Sequence, residues 1–293
     1  MKNLFKYSLI LLFLSFSSMI SSQAVAQDAA ETIFTFTNAQ YNGVSLDVSD
    51  RVDNSRGLHF KPDGTRFYHS ARGSMNIVEY HMSTPWDIGT AEFVREFDLT
   101  ETVGVNHERP RPHGLFINDE NGQEMYLVNR TEMIQYFMDE PWNIESTTHT
   151  KTRDMRLATS RLHDMYVSPD GSYMYIDDRE TWSVYQFRMD MIWDIDDLRL
   201  EYMLDITEMD SPRGMEWRPD GMRMFLVDQG ARILRVFDVE EPWNLRTAVR
   251  NPDLDFMVAR QTPNPRGLVW SRDGTRFYVV CNTNDTIFQY DVE

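Results

Sequence analysis

A chain of 293 residues with 46 acidic against 29 basic side chains carries a formal charge of −17, and its single cysteine excludes an internal disulfide. Such an acidic chain is a poor match for nucleic acid, whose phosphates are bound by clustered Lys and Arg, and for anionic membranes on the same grounds. Stability must therefore come from packing, for which 41% hydrophobic and 13% aromatic residues suffice.

At the N-terminus, Lys2 and Lys6 precede an apolar run from Leu9 to Phe16, and Ala24-Val25-Ala26 follows. This is the pattern of a secretory signal peptide, so residues 1–26 are expected to be removed near Ala26 and the product exported, to the periplasm or outside the cell. No Cys stands at the cleavage point to carry a lipid anchor. The first 26 residues hold two Lys and no acid, which leaves 27 basic against 46 acidic residues and a net charge of −19. No segment approaches the roughly 20 apolar residues of a spanning helix, and no membrane span is expected.

From there on the chain repeats itself about every 50 residues, the mark of a radial or linear repeat architecture. In the first copy Gly57-Leu58-His59-Phe60 reads as a strand, Pro62-Asp63-Gly64 as a hairpin turn and Arg66-Phe67-Tyr68-His69 as the returning strand. Asn76 to His81 alternates as a third strand, and Pro85-Trp86-Asp87-Ile88 leads into a fourth, Glu92 to Phe97. The marker Gly recurs as Gly114, Gly214 and Gly267, with Asp164 in the third copy. The turn recurs as Asn121-Gly122, Asp170-Gly171, Asp220-Gly221 and Asp273-Gly274. The tail recurs at Trp142, Trp193 and Trp243.

Four strands per unit without an intervening amphipathic helix is a β-propeller blade. The fifth copy ends at Glu293 with three strands. Glu31-Thr32-Ile33-Phe34-Thr35-Phe36 resembles Glu92 to Phe97 and is expected to supply the fourth, closing a five-bladed all-β ring over residues 27–293 and leaving no exposed edge.

The pattern Pro-Arg-Gly-apolar, Pro-Asp-Gly, aromatic-Tyr-Val resembles the NHL- and YVTN-type bacterial propeller repeats over essentially the whole mature chain, with a Pro-Trp-Asn/Asp tail as a variant. The resemblance implies a propeller, usually of six or seven blades, and leaves function open because one fold hosts many activities.

Three groups of residues stand out as site candidates. The tail tryptophans Trp86, Trp142, Trp193 and Trp243 could stack sugars, but their presence in every uncut blade assigns them to the fold. The residues preceding the marker are Arg56, His113, His163, Arg213 and Arg266, at the entry to the innermost strand. Those after the second strand are Arg72, Arg130, Arg179, Gln229 and Asn282, at the same face.

An acidic, Lys-poor chain thus collects cations around one opening. Guanidinium forks and imidazoles suit a carboxylate, phosphate or acidic segment. The alternative is that Asp164, Asp177, Asp178 and Asp228 neutralise them and tie blades together. Finally, the inner-strand column Phe116, Tyr166, Val269 is polar at His59 and Glu216, a candidate proton-transfer pair.

The leading expectation is a monomeric, non-catalytic binding protein for a small anionic ligand or a protein partner, with no resident cofactor. Asp119-Glu120-Asn121-Gly122 is only a fragment of a calcium loop, so a divalent cation such as calcium is left open. A metal-dependent lactonase like the gluconolactonase-related propellers, or a glycoside hydrolase, is the alternative at the same mouth. Its candidates are Glu216 and His59, with Asp178, Asp228 and Asn282. A structural module of an envelope assembly is the third reading.

Overall fold

A computed structural model describes residues 33–100, 110–156 and 161–292. Blade one contains β2 (Ser55–Phe60), β3 (Arg66–Ala71), β4 (Asn76–Met82) and β5 (Ala91–Asp98), and blade two β6 (Gly114–Ile117), β7 (Glu124–Val128), β8 (Glu132–Met138) and β9 (Thr147–Asp154). Blade three contains β10 (Leu162–Val167), β11 (Tyr173–Asp178), β12 (Ser183–Met189) and β13 (Leu198–Asp205). Blade four is β14 (Pro212–Trp217), β15 (Arg223–Asp228), β16 (Ile233–Val239) and the split outer pair β17 (Ala248–Arg250) and β18 (Phe256–Met257). Blade five joins β19 (Pro265–Trp270), β20 (Arg276–Cys281) and β21 (Thr286–Val292) to β1 (Ala39–Asp47).

Within each blade the strands pair antiparallel, in sequence order except that β1 takes the outer place beside β21 in blade five, and the inner strands β2, β6, β10, β14 and β19 neighbour one another in a closed ring. The fold is a five-bladed β-propeller. Its apolar core is divided into five wedges, each between consecutive blades: Leu115, Ile117 and Tyr68 sit in one, Val269, Tyr278 and Phe60 in another. Cys281 is fully buried in the wedge between blades four and five, as its apolar strand context predicts.

The tail motif has a structural task. Trp86, Trp142, Trp193 and Trp243 all adopt left-handed backbone, φ 61° to 64°, an uncommon conformation for a bulky residue. Each lays its indole over the turn glycine of its own blade, leaving no room for a Cβ there. The following Asp or Asn caps a short 3₁₀ turn: Asp87 Oδ1 accepts from Gly89 N (3.0 Å) and Asn244 Oδ1 from Arg246 N (3.1 Å). The Trp carbonyl accepts a hydroxyl from the preceding blade, Tyr68 to Trp142 (2.6 Å), Tyr126 to Trp193 (2.7 Å) and Tyr175 to Trp243 (2.5 Å), while Tyr278 reaches Trp86 across the closure.

Ring closure by the N-terminal segment holds, but its register is corrected. The strand pairing with β21 is β1, not the segment 31–36. Residues 31 and 32 lie outside the described residues, and Ile33 to Phe36 form no strand. Phe34 precedes β1 by the same spacing as Trp86 precedes β5, shares its left-handed φ (53°) and lies over Gly274 as Trp86 lies over Gly64.

Phe34 is therefore the tail residue of blade five. The alternation of Ile33-Phe34-Thr35-Phe36 imitated a strand because Phe34 and Phe36 are both buried at 6% and 4% exposure. The true outer strand is half-exposed, lays Ala39, Tyr41, Val44 and Leu46 on the core between polar residues, and is interrupted at Gly43 (φ 90°), where its register slips.

Candidate functional site

Each inner strand starts at the axis, so the residue before the marker position enters the channel mouth. There Arg56, His113, His163, Arg213 and Arg266 meet Arg72, Arg130 and Arg179 from the ends of the second strands around one cavity of about 190 Å³. The structure adds a ninth residue, Arg161, and all nine lining residues are Arg or His.

Arg161 does not stand out in the sequence because it lies in no repeat column that is charged throughout. Its signal was there: where the pre-marker residue is His, an Arg stands two positions earlier, at Arg111 and Arg161. Gln229 and Asn282 do not line this cavity. Gln229 Oε1 accepts from Arg213 Nε (2.9 Å), and Asn282 joins Asn264 and Asn54 across the blade five–blade one seam.

The mouth is held rigidly on one side. The His113 and His163 rings stack with centroids 4.7 Å apart and planes 10° from parallel. His113 Nδ1 donates to the Leu162 carbonyl (2.9 Å), and Arg213 Nη1 donates to His163 Nε2. Elsewhere polar atoms lack partners. Among the described residues, buried Arg56 Nε and Nη1, Arg72 Nε, Arg266 Nε and His113 Nε2 make no hydrogen bond.

Burial, and then the neighbouring guanidinium groups, lower Arg56, Arg213 and Arg266 to about 9. Burial first, with Arg56, Arg72 and Arg130 adding to it, depresses His113 to about 3. His163 falls further still, through burial, His113 and Arg213. Both imidazoles are neutral in a field of cations.

The acids expected to neutralise these cations point elsewhere. Among the described residues none of the six arginines at positions 56, 72, 130, 179, 213 and 266 forms an ion pair. Asp164 accepts from Met165 N (2.9 Å) and, across the seam, Met215 N (3.0 Å). Asp177 accepts from Asp164 N, Asp178 from Arg161 N (3.0 Å), and Asp228 from Ser211 N (3.0 Å) and Arg235 Nη2 (2.7 Å).

These carboxylates serve backbone amides that irregular ladders release: the pairing slips at the start of β10 and of β14. Asp164 also explains its own departure from Gly. In place of the close approach at Gly57 and Gly114, its side chain bridges blades three and four through the Met215 amide.

His59 and Glu216 do not join the collar. They lie with Phe116, Tyr166 and Val269 around a separate, narrower cavity of about 70 Å³ further along the inner strands, toward the hairpin turns, which shares no lining residue with the first. His59 Nε2 meets Asp119 Oδ1 (3.1 Å), and its ring stacks on Trp142 with centroids 6.2 Å apart.

Glu216 Oε1 accepts from Trp217 N (3.1 Å), and burial raises its carboxyl well above the usual range. The expected grouping of Glu216 and His59 with Asp178, Asp228 and Asn282 is not formed, because the latter three cap strands at the opposite end of the blades. Among the described residues no three His, Cys, Asp or Glu side chains are arranged to hold a metal ion. Asp119 to Gly122 forms the blade-two hairpin turn.

No family model matches this sequence, and no curated protein matches it. Solved structures do. The β-propeller domain of Cps50 (Swd1) from Myceliophteria thermophila aligns with 87% of this chain and all of its own length, at TM-score 0.52 and 11% identity. A protein from Lactobacillus plantarum aligns over 81% of this chain and 67% of its own, at TM-score 0.50 and 10% identity.

A Bacteroides uniformis ATCC 8492 protein provisionally named a 6-phosphogluconolactonase aligns over 78% of this chain at TM-score 0.47 and 14% identity, and this chain spans 64% of its length. At such identities the likeness is one of fold.

Proposed function

We propose that this protein is an exported, monomeric, non-catalytic binding propeller that captures a small oxyanion, or the acidic segment of a partner, at its Arg/His collar. One observation carries the reading: nine residues line a single cavity, every one of them Arg or His, with buried guanidinium N–H groups that no residue of the described chain satisfies. Desolvated, mutually repelling cations cost stability in the free protein, and an anion relieves that cost on binding. Charge-assisted, forked bonds supply the orientation. Export rests on the N-terminal segment from Lys2 to Ala26, which lies outside the described residues.

The test is calorimetric titration of inorganic phosphate and of an Asp-rich peptide into the purified protein and into Arg213→Ala/Arg266→Ala. The double variant is expected to lose binding by at least about a hundredfold while its unfolding midpoint in denaturant does not fall. A wild-type protein that binds no anion, or a double variant that unfolds without a ligand phenotype, makes the collar structural.

A hydrolase reading has one point in its favour: Glu216, whose carboxyl burial holds well above the usual range, lines the same cavity as the His59–Asp119 pair. Its cavity has room for a few water molecules only. Lactone turnover abolished by Glu216→Gln would establish it.

A further inference from the structure

The collar's hydrogen-bonding inventory is lopsided in a way that bears on which anion it takes. Every guanidinium is a donor and nothing else. Of the two imidazoles, His163 presents its Nε2 lone pair to Arg213 Nη1, so that acceptor is spent, as is the Gln229 oxygen beside it. His113 differs. Its Nδ1 faces a carbonyl oxygen, which can only accept, so Nδ1 carries the ring's hydrogen.

A neutral imidazole has one hydrogen, which leaves Nε2 as a bare lone pair. That atom is buried, lacks a partner among the described residues, and belongs to a residue lining the collar cavity. Turning the ring over by half a turn would keep the stack on His163 but break the Leu162 bond, leaving a buried carbonyl without its donor.

Resting on the anion-binding reading above, we propose that the collar selects oxyanions that retain a hydroxyl hydrogen, which His113 Nε2 receives while the arginines hold the charge. Phosphate keeps at least one O–H throughout the neutral range, whereas sulfate keeps none and has the same tetrahedral shape. Among planar anions a 2-hydroxy acid has the hydroxyl and a simple carboxylate lacks it. An ion with acceptor atoms alone sets an oxygen lone pair against the Nε2 lone pair, or requires the imidazole to take a proton. Burial and the flanking Arg56, Arg72 and Arg130 oppose that protonation.

The experiment compares phosphate with sulfate, and glycolate with acetate, by calorimetric titration near neutral pH at matched ionic strength. Wild-type protein is expected to prefer the hydroxyl-bearing member of at least one pair by about tenfold or more, the cost of an unmet lone pair. His113→Phe keeps the ring stack and removes the acceptor. It is expected to bring the two members within about threefold, mainly through weaker binding of the preferred ion.

Anions that bind without preference in both pairs overturn the selectivity and leave the anion site standing. A wild-type preference that survives in His113→Phe overturns it as well. Absence of binding by any of the four ions removes the site itself. Should His113→Phe fail to fold, His113→Leu takes its place, and the wild-type comparison decides between selectivity and indifference without a variant.

Discussion

Aspartate, arginine and histidine side chains are buried here in positions that set charge against stability. Burial raises Asp177 from its ordinary 3.8 to about 7, with the bond from the Asp164 amide opposing the shift only in part. Between those two values the folded chain holds a proton that the unfolded chain releases, so this residue makes the protein less stable as pH rises from about 4 to about 7 and adds nothing further above that.

His69 and His113, lowered to about 4 and about 3 by burial, act in the opposite sense: their contribution is complete above the unfolded value of 6.5 and fades as the pH falls. The two tendencies offset one another in the wild-type profile, so the difference between variants is the informative quantity. Asp177→Asn keeps an acceptor for the Asp164 amide and is expected to gain on the order of 2 kcal/mol over wild type at about pH 8, with the gap closing toward about pH 4. Denaturant unfolding at both pH values measures it. A gap that does not depend on pH would mean that Asp177 is ionised or neutral alike in both states.

Blades are joined by a repeated latch, and its strength sets what a single bond is worth at the level of elements. Tyr68 on β3 is fully buried and donates to the Trp142 carbonyl of the next blade, fixing the left-handed tail residue over its turn. Tyr68→Phe leaves that carbonyl short of a donor at nearly constant volume, and is expected to cost about 1–2 kcal/mol in denaturant unfolding. A cost indistinguishable from zero would show that water replaces the hydroxyl.

The blade four–blade five seam lacks this latch. Phe225 stands in the Tyr position and Phe34 in the Trp position, and Arg223 Nη1 donates to the Phe34 carbonyl (3.2 Å) in its stead. The same seam carries the split outer strand of blade four, with Phe256 packed on Phe36, Phe277 and Tyr290. Aromatic packing here replaces the hydroxyl-to-carbonyl bond used elsewhere.

For the whole molecule the decisive event is closure. β1 pairs with β21 along most of its length, and Phe34 and Phe36 fill the wedge between blades four and five. A chain lacking residues 33–47 exposes the β21 edge and unseats that wedge, so size-exclusion chromatography with light scattering is expected to show aggregates or strand-exchanged oligomers rather than a monomer. A compact monomer with an unchanged β-sheet circular dichroism spectrum would show that the ring closes without its outer ribbon. Closure also makes the collar: five inner strands that start at one axis bring side chains some 50 residues apart in sequence to one mouth.

Blade number, strand order and the face on which the cations gather were legible in the residues, because a repeat writes each structural position five times and a column of like residues exposes its role. Three things were not. The outer strand of blade five was misplaced, since two buried phenylalanines alternate as a strand does while the half-exposed ribbon beside them changes the phase of its alternation at Gly43, where its register slips. The acids near the collar looked like partners for its arginines, yet turn to amides released by slipped ladders and, at Asp228, to Arg235 on the neighbouring strand, a matter of backbone register that composition does not encode. And His59 with Glu216 belongs to a second cavity, because positions three residues apart on an extended strand are separated by about 10 Å along the axis. Periodicity reports which residues are equivalent, whereas only the folded backbone decides the direction in which each equivalent atom points.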